Sequence, residues 1–484
     1  MKAIVRSLSV SALAIAAAGC STPNPTALDR PGDVPAAFTA PVVTDAPIWP
    51  EAGWWVNFNA PELPALEDTA QKENLNLTEA AAQVLQAEAT DGVAFSALLP
   101  TVSSSFGVTR TKAGSVKTGA TSATAGATLT TYSWAGSASY ELDFWGENQD
   151  KLRQARENLR SARYAESVEG LTITASVANE YFTVLSLRER IALTRQNIDA
   201  ANRILTVTQA KVTNGVASNL DLSEQQAAVA TQQARLPALI ESEREARYAL
   251  AILLGRAPEG FDVQGQNLDG IVSPAVQPGL PSDALLRRPD VAEAEATLYA
   301  AHANVDAARA AFFPAIGLTG SDSYASQILT GLVNPANFAW SIGASVVQSI
   351  FDGGKLKAQD DLALAQQQQQ IAAYRLAVFN AFSDVETQLG QSSADTDQLA
   401  ALTEEVRADG EAFRISDLQY REGTIDILAL LQNQQNLFNA ENLLVQTKLA
   451  RLEAAVGIYR ALGGGWTQQG ADKVYEYQLD WWPL

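Results

Sequence analysis

The 484-residue chain is nearly devoid of the side chains on which many catalytic and metal sites depend, since it has one cysteine, one histidine and one methionine. With Cys20 as the only thiol, no disulfide can form within the chain. The only histidine, His302, stands among alanines, where a structural role is usual. The sequence also lacks a Gly-x-Ser-x-Gly motif, a phosphate-binding loop and zinc-ligand spacing. We therefore expect a protein that is not an enzyme and that needs no catalytic cofactor.

Basic residues and long apolar runs are scarce too. The chain has 34 lysines and arginines against 54 acidic residues, a net charge of -20, and so acidic a surface repels a phosphate backbone. We expect no nucleic-acid partner. Beyond the first residues, no run approaches the ~18 consecutive apolar residues of a membrane-spanning helix. Any later segment that crosses a bilayer must therefore be a strand.

The N-terminus has the pattern of an export signal. Lys2 and Arg6 precede an apolar run that ends in small residues directly before Cys20. Because this pattern resembles the lipobox of bacterial lipoproteins, we predict a signal peptide over residues 1–19 and a diacylglycerol with an N-acyl lipid on Cys20. Ser21, which is not the aspartate associated with inner-membrane retention, implies the outer membrane.

Proline is absent from residues 101–236 and 336–482, which favours long helices. A continuous helix from 148 to about 213 would measure ~95–100 Å. Turns are predicted at Gly215 and Gly423, after which shorter antiparallel helices run back along the first.

Three local features complete the helical regions. Pro237 is expected to kink or break the helix that follows the first turn. The last helix carries a seven-residue repeat typical of coiled-coil packing, at Leu431, Phe438, Val445, Leu452 and Tyr459. Residues 21–64 are rich in proline, and we expect their aromatic residues to lie on an extended segment over a surface: Trp49, Trp54, Trp55 and Phe58.

Four stretches alternate apolar with small or polar residues, which is the period of a β-strand with two different faces. Their apolar positions include Val102, Phe106 and Val108, then Trp134, Tyr140 and Leu142, then Ile316, Leu318 and Tyr324, and then Phe338, Trp340, Ile342 and Val346. Aromatic residues near the strand ends favour lipid on one face and water on the other. Half-buried strands of a soluble sandwich would give a similar pattern. Residues 111–131 are expected to form a flexible loop.

The sequence is internally duplicated. Leu254-Gly255 recurs as Leu462-Gly463, and Pro100 recurs as Pro314. Two strands per copy make four per chain, whereas a membrane barrel needs ~8 or more, because an open sheet edge would leave backbone groups unpaired in lipid. Several copies of the chain must therefore combine their strands.

These signals divide the chain into segments with separate roles. In order they are the signal peptide (1–19), an acylated extended segment (20–66), a helix of the first repeat (67–98), the first membrane hairpin (99–145), the first helical-barrel segment (146–256), a connector (257–283), a helix of the second repeat (284–313), the second membrane hairpin (314–351), the second helical-barrel segment (352–463) and a C-terminal tail (464–484).

Several motifs resemble those of the OprM/NodT branch of the TolC-like outer-membrane factors. They are residues 279–290 (GLPSDALLRRPD), 307–314 (AARAAFFP), 350–354 (IFDGG) and 461–466 (ALGGGW), with matches at 215–222 and 253–255 in the first copy. The resemblance implies the fold class, a mainly α protein with a membrane β-barrel portion. In such a trimeric duct, each chain gives four strands to a 12-stranded barrel, and the long helices form a periplasmic α-helical barrel.

The resemblance also implies the partners and the function. The partners are two further copies in a homotrimer, outer-membrane lipid, a periplasmic adaptor (membrane fusion protein) and an RND-type inner-membrane transporter. The turns at Gly215 and Gly423 would be the tips on which the adaptor docks. The implied function is a passive exit duct for drugs or other small molecules. A type I protein-secretion duct and a structural coiled-coil outer-membrane lipoprotein are the alternatives.

The family narrows its tunnel at a leucine five residues past the second turn glycine, with an aspartate and an arginine further along the same helix. Counted from Gly423, Leu428 takes the leucine position, but Gln432 and Gln435 stand where the acid and the base would be. The resemblance therefore implies hydrophobic narrowing at Leu428 with neutral amides in place of a charged lock. Asp426 lies near and can supply a ring of carboxylates in a trimer.

Overall fold

The computed structural model describes residue 38 and residues 49–112, 128–274 and 281–467. Cys20 lies outside the described residues. The helices within these ranges are α1 (Leu63–Glu73), α2 (Leu75–Ser96), α3 (Glu147–Thr213), α4 (Asn219–Leu253), α5 (Pro281–Leu285), α6 (Pro289–Ala310), α7 (Lys355–Glu422) and α8 (Ile427–Ala461). The strands are β1 (Thr101–Lys112), β2 (Thr128–Leu142), β3 (Ala315–Ser326) and β4 (Phe338–Val347).

The two longest helices are α3 with 67 residues and α7 with 68. At 1.5 Å per residue, each measures ~100 Å. The predicted continuous helix from 148 to about 213 is confirmed. Each long helix follows a glycine with positive φ, Gly146 at 83° and Gly354 at 91°, which lets the chain turn sharply into the helix. None of the described helices combines the length and the hydropathy of a membrane-spanning helix.

The four strands form one antiparallel sheet in the order β1-β2-β3-β4. A row of aromatic residues crosses one face: Phe106 lies opposite Trp134, Trp134 opposite Tyr324, and Tyr324 opposite Phe338. Neighbouring rings in the row lie close, with centroids 5.9 Å apart for Trp134 and Tyr324 and 5.1 Å apart for Tyr324 and Phe338. The predicted alternation is confirmed, because the apolar positions of all four strands share this face.

The opposite face of the sheet carries small and polar residues. A row of serines crosses it at Ser103, Ser137, Ser321 and Ser341. The hydroxyl oxygens are 2.7 Å apart for Ser103 and Ser137 and 2.9 Å apart for Ser321 and Ser341, so each pair shares a hydrogen bond. The two faces of the sheet therefore suit different surroundings.

The main core lies between the helices, around the 3-10 turn Trp54–Phe58. Trp54 is 1% exposed, and its ring stacks on Tyr459 of α8 with centroids 4.8 Å apart. Phe58 is fully buried against Phe182 of α3. The expectation that these aromatic residues lie on an extended surface segment is wrong. A 3-10 turn over Trp54–Phe58 directs both rings inward, where they meet the apolar seam of the last helix.

The seven-residue repeat in α8 is confirmed as a packing seam. Phe438, Val445, Leu452 and Tyr459 are all buried. The helix lies beside α7 in its own hairpin and also against α3 of the first repeat. The two helical hairpins are thereby joined side by side through α3 and α8.

Several predicted boundaries differ from the structure. The helix predicted over 67–98 is two helices, α1 and α2, because Asn74 has an extended conformation and its side chain caps α2 by accepting a hydrogen bond from the Leu77 N–H. The helix predicted over 284–313 begins at Pro289, where proline suits the first turn, and the short helix α5 begins inside the predicted connector.

Two predicted interruptions are also changed. The helix α4 does not break at Pro237, which lies inside it. The residues on both sides of Pro237 remain helical, and α4 packs against α3. Both ends of the loop expected over 111–131 belong to strands instead, since β1 continues to Lys112 and β2 begins at Thr128, where the two residues pair; residues 113–127 lie outside the described residues.

Candidate functional site at the helix hairpin tips

The tip of the first hairpin is a tight turn between α3 and α4. Gly215 has a φ of 71°, and the Val216 N–H donates to the Lys211 carbonyl at 2.9 Å, which closes the end of α3. Ser218 and Asp221 then form a capping box that starts α4, because each side chain accepts a hydrogen bond from the other residue's backbone N–H. The turn predicted at Gly215 is confirmed.

The tip of the second hairpin has the same construction. Gly423 has a φ of 79°, and the Thr424 N–H donates to the Gln419 carbonyl at 2.9 Å. Asp426 starts α8 by accepting a hydrogen bond from the Ala429 N–H at 2.9 Å. The turn predicted at Gly423 is confirmed, and the Asp426 carboxylate is used as a helix cap.

The two tips are fastened to each other by residues that sequence reasoning missed. Tyr420, in the last turn of α7, is 4% exposed, and its hydroxyl shares a 2.9 Å hydrogen bond with Thr208 of α3. The Lys211 ammonium lies 4.6 Å from the centre of the Tyr420 ring. Burial raises the pKa of Tyr420, so its hydroxyl stays protonated. An aromatic residue in the turn before Gly423 was the only available signal.

The predicted aperture residues lie together on one side of α8. Leu428 is 58% exposed. Its neighbour Ile427 is 3% exposed and belongs to a small core near the tips that also contains Ile204, Tyr420 and Leu430. Leu428, Gln432 and Gln435 border one cavity of about 310 Å³ between α4 and α8, together with Gln232. The structure therefore brings the predicted leucine and the two amides onto a common surface.

The amides of this surface are engaged along their own helix. The Gln432 Nε2 donates to the Asn436 Oδ1, and the Gln435 Nε2 donates to the Asn439 Oδ1, each at 2.8 Å. The surface that Leu428 shares with Gln432 and Gln435 is therefore uncharged at both glutamines. Asp426 does not border the cavity. Whether these residues form a constriction stays a prediction.

Apolar side chains are exposed around both tips. Val216 is 71% exposed, and Leu220 and Leu418 are also largely exposed. Exposed apolar side chains at such a position are available to contact another protein. The described residues contain no cluster of three or more histidine, cysteine or carboxylate side chains placed to hold a metal ion.

Comparisons with known proteins agree with this arrangement. The chain matches the family model "Outer membrane efflux protein" over residues 66–256 and 280–464. It is 38% identical over 418 residues to the pyoverdine export outer membrane protein OpmQ of Pseudomonas aeruginosa, covering 85% of this chain and 87% of the relative.

Solved structures give the same result for the fold. The open-state structure of the Neisseria gonorrhoeae MtrE outer membrane channel is 30% identical, with a TM-score of 0.79 over 90% of this chain and 96% of that one. The outer-membrane channel OprN is 26% identical, with a TM-score of 0.81 over 90% of this chain and 98% of that one. Both are channels, and both repeat the two-hairpin architecture described above. The chain belongs to the outer membrane efflux protein family, has the TolC-like fold and is an outer-membrane efflux channel component.

Proposed function

We propose that three copies of this chain assemble into a passive exit duct whose twelve strands close into one barrel in the outer membrane. The observation that carries the proposal is the open sheet. β1 pairs only with β2, and β4 pairs only with β3, so each outer strand has one row of backbone groups without a partner among the described residues. Such edges are too costly in hydrocarbon, and pairing β4 of one copy with β1 of the next removes them.

The apolar face of the sheet supports contact with lipid. The aromatic row through Tyr324 marks one end of this face. Near the other end, the Trp145 ring stacks on Phe313 at 4.8 Å and donates from Nε1 to the Pro314 carbonyl. Eleven residues separate Phe313 from Tyr324, or ~36 Å along a strand. With a tilt of ~40° this becomes ~28 Å across the membrane, close to the ~25 Å apolar band between the aromatic girdles of such barrels.

The helical part would form the periplasmic tunnel. α3 and α7 are each ~100 Å long, far longer than a compact domain requires. We place a periplasmic adaptor on the tips at Gly215 and Gly423, where Val216 and Leu220 are exposed, and an RND-type transporter beyond it as the source of energy. The aperture would narrow at Leu428, with Gln432 and Gln435 as neutral neighbours.

Small molecules are the proposed cargo. The relative named for pyoverdine export favours a small solute over a secreted protein. We also propose an acyl anchor on Cys20. Mass spectrometry of the N-terminal peptide would test the anchor. A free thiol at Cys20 in protein from the outer membrane would refute it.

Single-channel recording tests the proposed duct. The full-length protein in planar bilayers should give discrete conductance steps, and deletion of its gene should sensitise the cell to several unrelated toxic compounds. A structural coiled-coil lipoprotein would give no conductance. If deletion abolished the secretion of one protein and left the sensitivity to toxic compounds unchanged, the type I secretion duct would be favoured.

A further inference from the structure

A second cavity continues the aperture surface along the inside of the hairpin junction. Its volume is about 390 Å³, and it lies between α3, α4 and α8. It shares Gln232 and Phe438 with the cavity that Leu428 borders, so the two cavities adjoin in the groove between α4 and α8. A volume of this size suits a small organic solute.

Two arginines border this second cavity. The Arg190 side chain is half-buried, and its Nε donates to the Asn442 Oδ1 at 2.7 Å. The Arg235 Nη1 is 3.5 Å from the Asn439 Oδ1. Among the described residues, neither arginine has a carboxylate within the 4.0 Å of an ion pair. The half-buried Arg190 is therefore held by a neutral amide, whereas Arg235 is exposed and its contact with Asn439 is at the limit of a hydrogen bond.

A neighbouring arginine shows what a structural arginine looks like in this protein. Arg188, two residues before Arg190, is saturated by Glu243 at 3.0 Å, by Asp262 and by two backbone carbonyls. Arg190 has no such set. Burial lowers the pKa of Arg190, since nothing of opposite charge offsets its partial removal from water. Leaving a half-buried guanidinium without a counter-charge is unfavourable unless a ligand supplies one.

Among the described residues, the side chains that border the cavity include no carboxylate. Glu441 borders the junction, but it accepts a hydrogen bond from Asn197 at 3.4 Å. Burial raises the pKa of Glu441. In a chain with a net charge of -20, the cavity is a local site of positive charge.

We propose that this cavity is a binding subsite for organic anions, in which Arg190 and Arg235 hold a carboxylate-bearing solute just beyond the aperture. The inference rests on the proposed function, because only a duct brings solutes to this groove. Guanidinium groups are suited to carboxylates through paired hydrogen bonds.

The test is calorimetric titration of citrate, a tricarboxylate, into the full-length detergent-solubilised protein. We expect the variant Arg190→Gln/Arg235→Gln to bind citrate about tenfold more weakly or worse, since each lost charged hydrogen bond has about that effect. Arg190→Lys/Arg235→Lys should keep most of the affinity. The matched control is Arg195→Gln, an exposed arginine of α3 outside the cavity, which should bind as wild type.

Single-channel conductance distinguishes a failure of the anion subsite from a failure of the proposed duct. If the wild type conducts but citrate binds the Gln/Gln variant as tightly as it binds the wild type, the anion subsite is refuted and the duct stands. An equal loss in Arg195→Gln would also refute it, because any surface charge would then suffice. A wild type without conductance would overturn the duct and the subsite together.

Discussion

In both repeats, a residue that precedes a shorter helix donates a hydrogen bond to the end of the hairpin's returning helix. We call this contact the joint, and its chemistry differs between the repeats. In the first repeat, the Asn74 Nδ2 donates to the Leu253 carbonyl at 2.7 Å at the end of α4. In the second, the Arg288 Nη1 donates to the Ala461 carbonyl at 3.0 Å at the end of α8. Asn74 precedes α2, and Arg288 precedes α6 in the corresponding place. The geometry of the joint repeats, while its charge does not.

The steric part of the joint is nearly identical in both repeats. A Cβ on Gly255 would lie 2.0 Å from the Glu73 carbonyl oxygen, and a Cβ on Gly463 would lie 1.9 Å from the Arg287 carbonyl oxygen. Both glycines have positive φ, at 67° and 85°. Close backbone contact therefore forces glycine at both positions.

The polar part of the joint is free to differ. Asn74 is neutral and caps only its own helix and the end of α4. Arg288 also donates to Asp290, at 3.0 and 2.6 Å, and to Asp384 at 3.0 Å, so the second joint is an ionic network in which the arginine is buried and both carboxylates are partly exposed. The comparison teaches that backbone contact sets the shared geometry, whereas the side chain that satisfies a helix end can be either neutral or charged.

The largest effect is expected from filling the glycine contacts. Gly463→Ala or Gly255→Ala should lower the free energy of unfolding by about 4 kcal/mol, because a Cβ would overlap a carbonyl oxygen in a left-handed conformation. The control is Gly260→Ala, which has a φ of 77° and open space around it, and which should cost only about 1 kcal/mol. Thermal unfolding of the purified protein measures both. Equal losses at Gly260 and Gly463 would show that backbone contact is not the cause.

Removing the charged joint should cost more than removing the neutral one. Arg288→Met should lower the free energy of unfolding by about 2 kcal/mol, because the Ala461 carbonyl loses its donor and the partly exposed Asp290 and Asp384 lose their common partner. Asn74→Ala should cost only about 1 kcal/mol, as for other helix caps. Arg288→Lys should restore part of the loss. If Asn74→Ala is the more damaging change, the second joint is not the stronger one.

Much of this architecture was predictable because it depends on local pattern. The absence of proline predicted the long helices, and Gly423 predicted the second turn. Trp54 was misplaced because its partner, Tyr459, lies at the other end of the chain, and a local pattern cannot show a contact between distant segments. Tyr420 was missed for the same reason, since its hydroxyl bonds to Thr208 of the other hairpin.

Both repeats bury a carboxylic acid, Glu67 in the first and Asp395 in the second. Burial raises the pKa of Glu67 in α1 to about 9, and neither carboxyl oxygen has a hydrogen-bond partner among the described residues. The folded protein holds a proton that the unfolded chain releases above its ordinary pKa of 4.5. Stability should therefore fall as the pH rises from about 4.5 toward about 9.

Replacing this acid should stabilise the protein. The raised pKa of Glu67 lowers the free energy of unfolding by about 3 kcal/mol at pH 7. Burying an amide in its place costs about 1 kcal/mol, which reduces the gain from the substitution. Glu67→Gln should thus raise the free energy of unfolding by about 2 kcal/mol, and the gain should grow with pH. Melting temperatures at several pH values measure this gain. Glu79→Gln, at an exposed position of α2, is the control. A gain that is the same at pH 5 and pH 8 would contradict the assignment.

The smallest effect concerns the tips. A neutral aperture should respond weakly to salt, because no ion pair is present to be screened. Gln432→Asp/Gln435→Arg should make the opening of the aperture depend on salt between ~0.1 and ~1 M, because salt screens the new ion pair. The energy of such an exposed pair is less than about 1 kcal/mol. Gln398→Asp on α7, which is exposed, is the control. A wild-type aperture that already opens sharply with salt would contradict a neutral closure.

The number of chains in the solubilised particle tests the central claim most directly. Native mass spectrometry of the full-length protein in detergent gives that number without reference to cargo or partners. If the open edges of the four-stranded sheet are closed by neighbouring copies, the particle contains three chains and resists dissociation by SDS. A folded, membrane-inserted monomer would contradict the account.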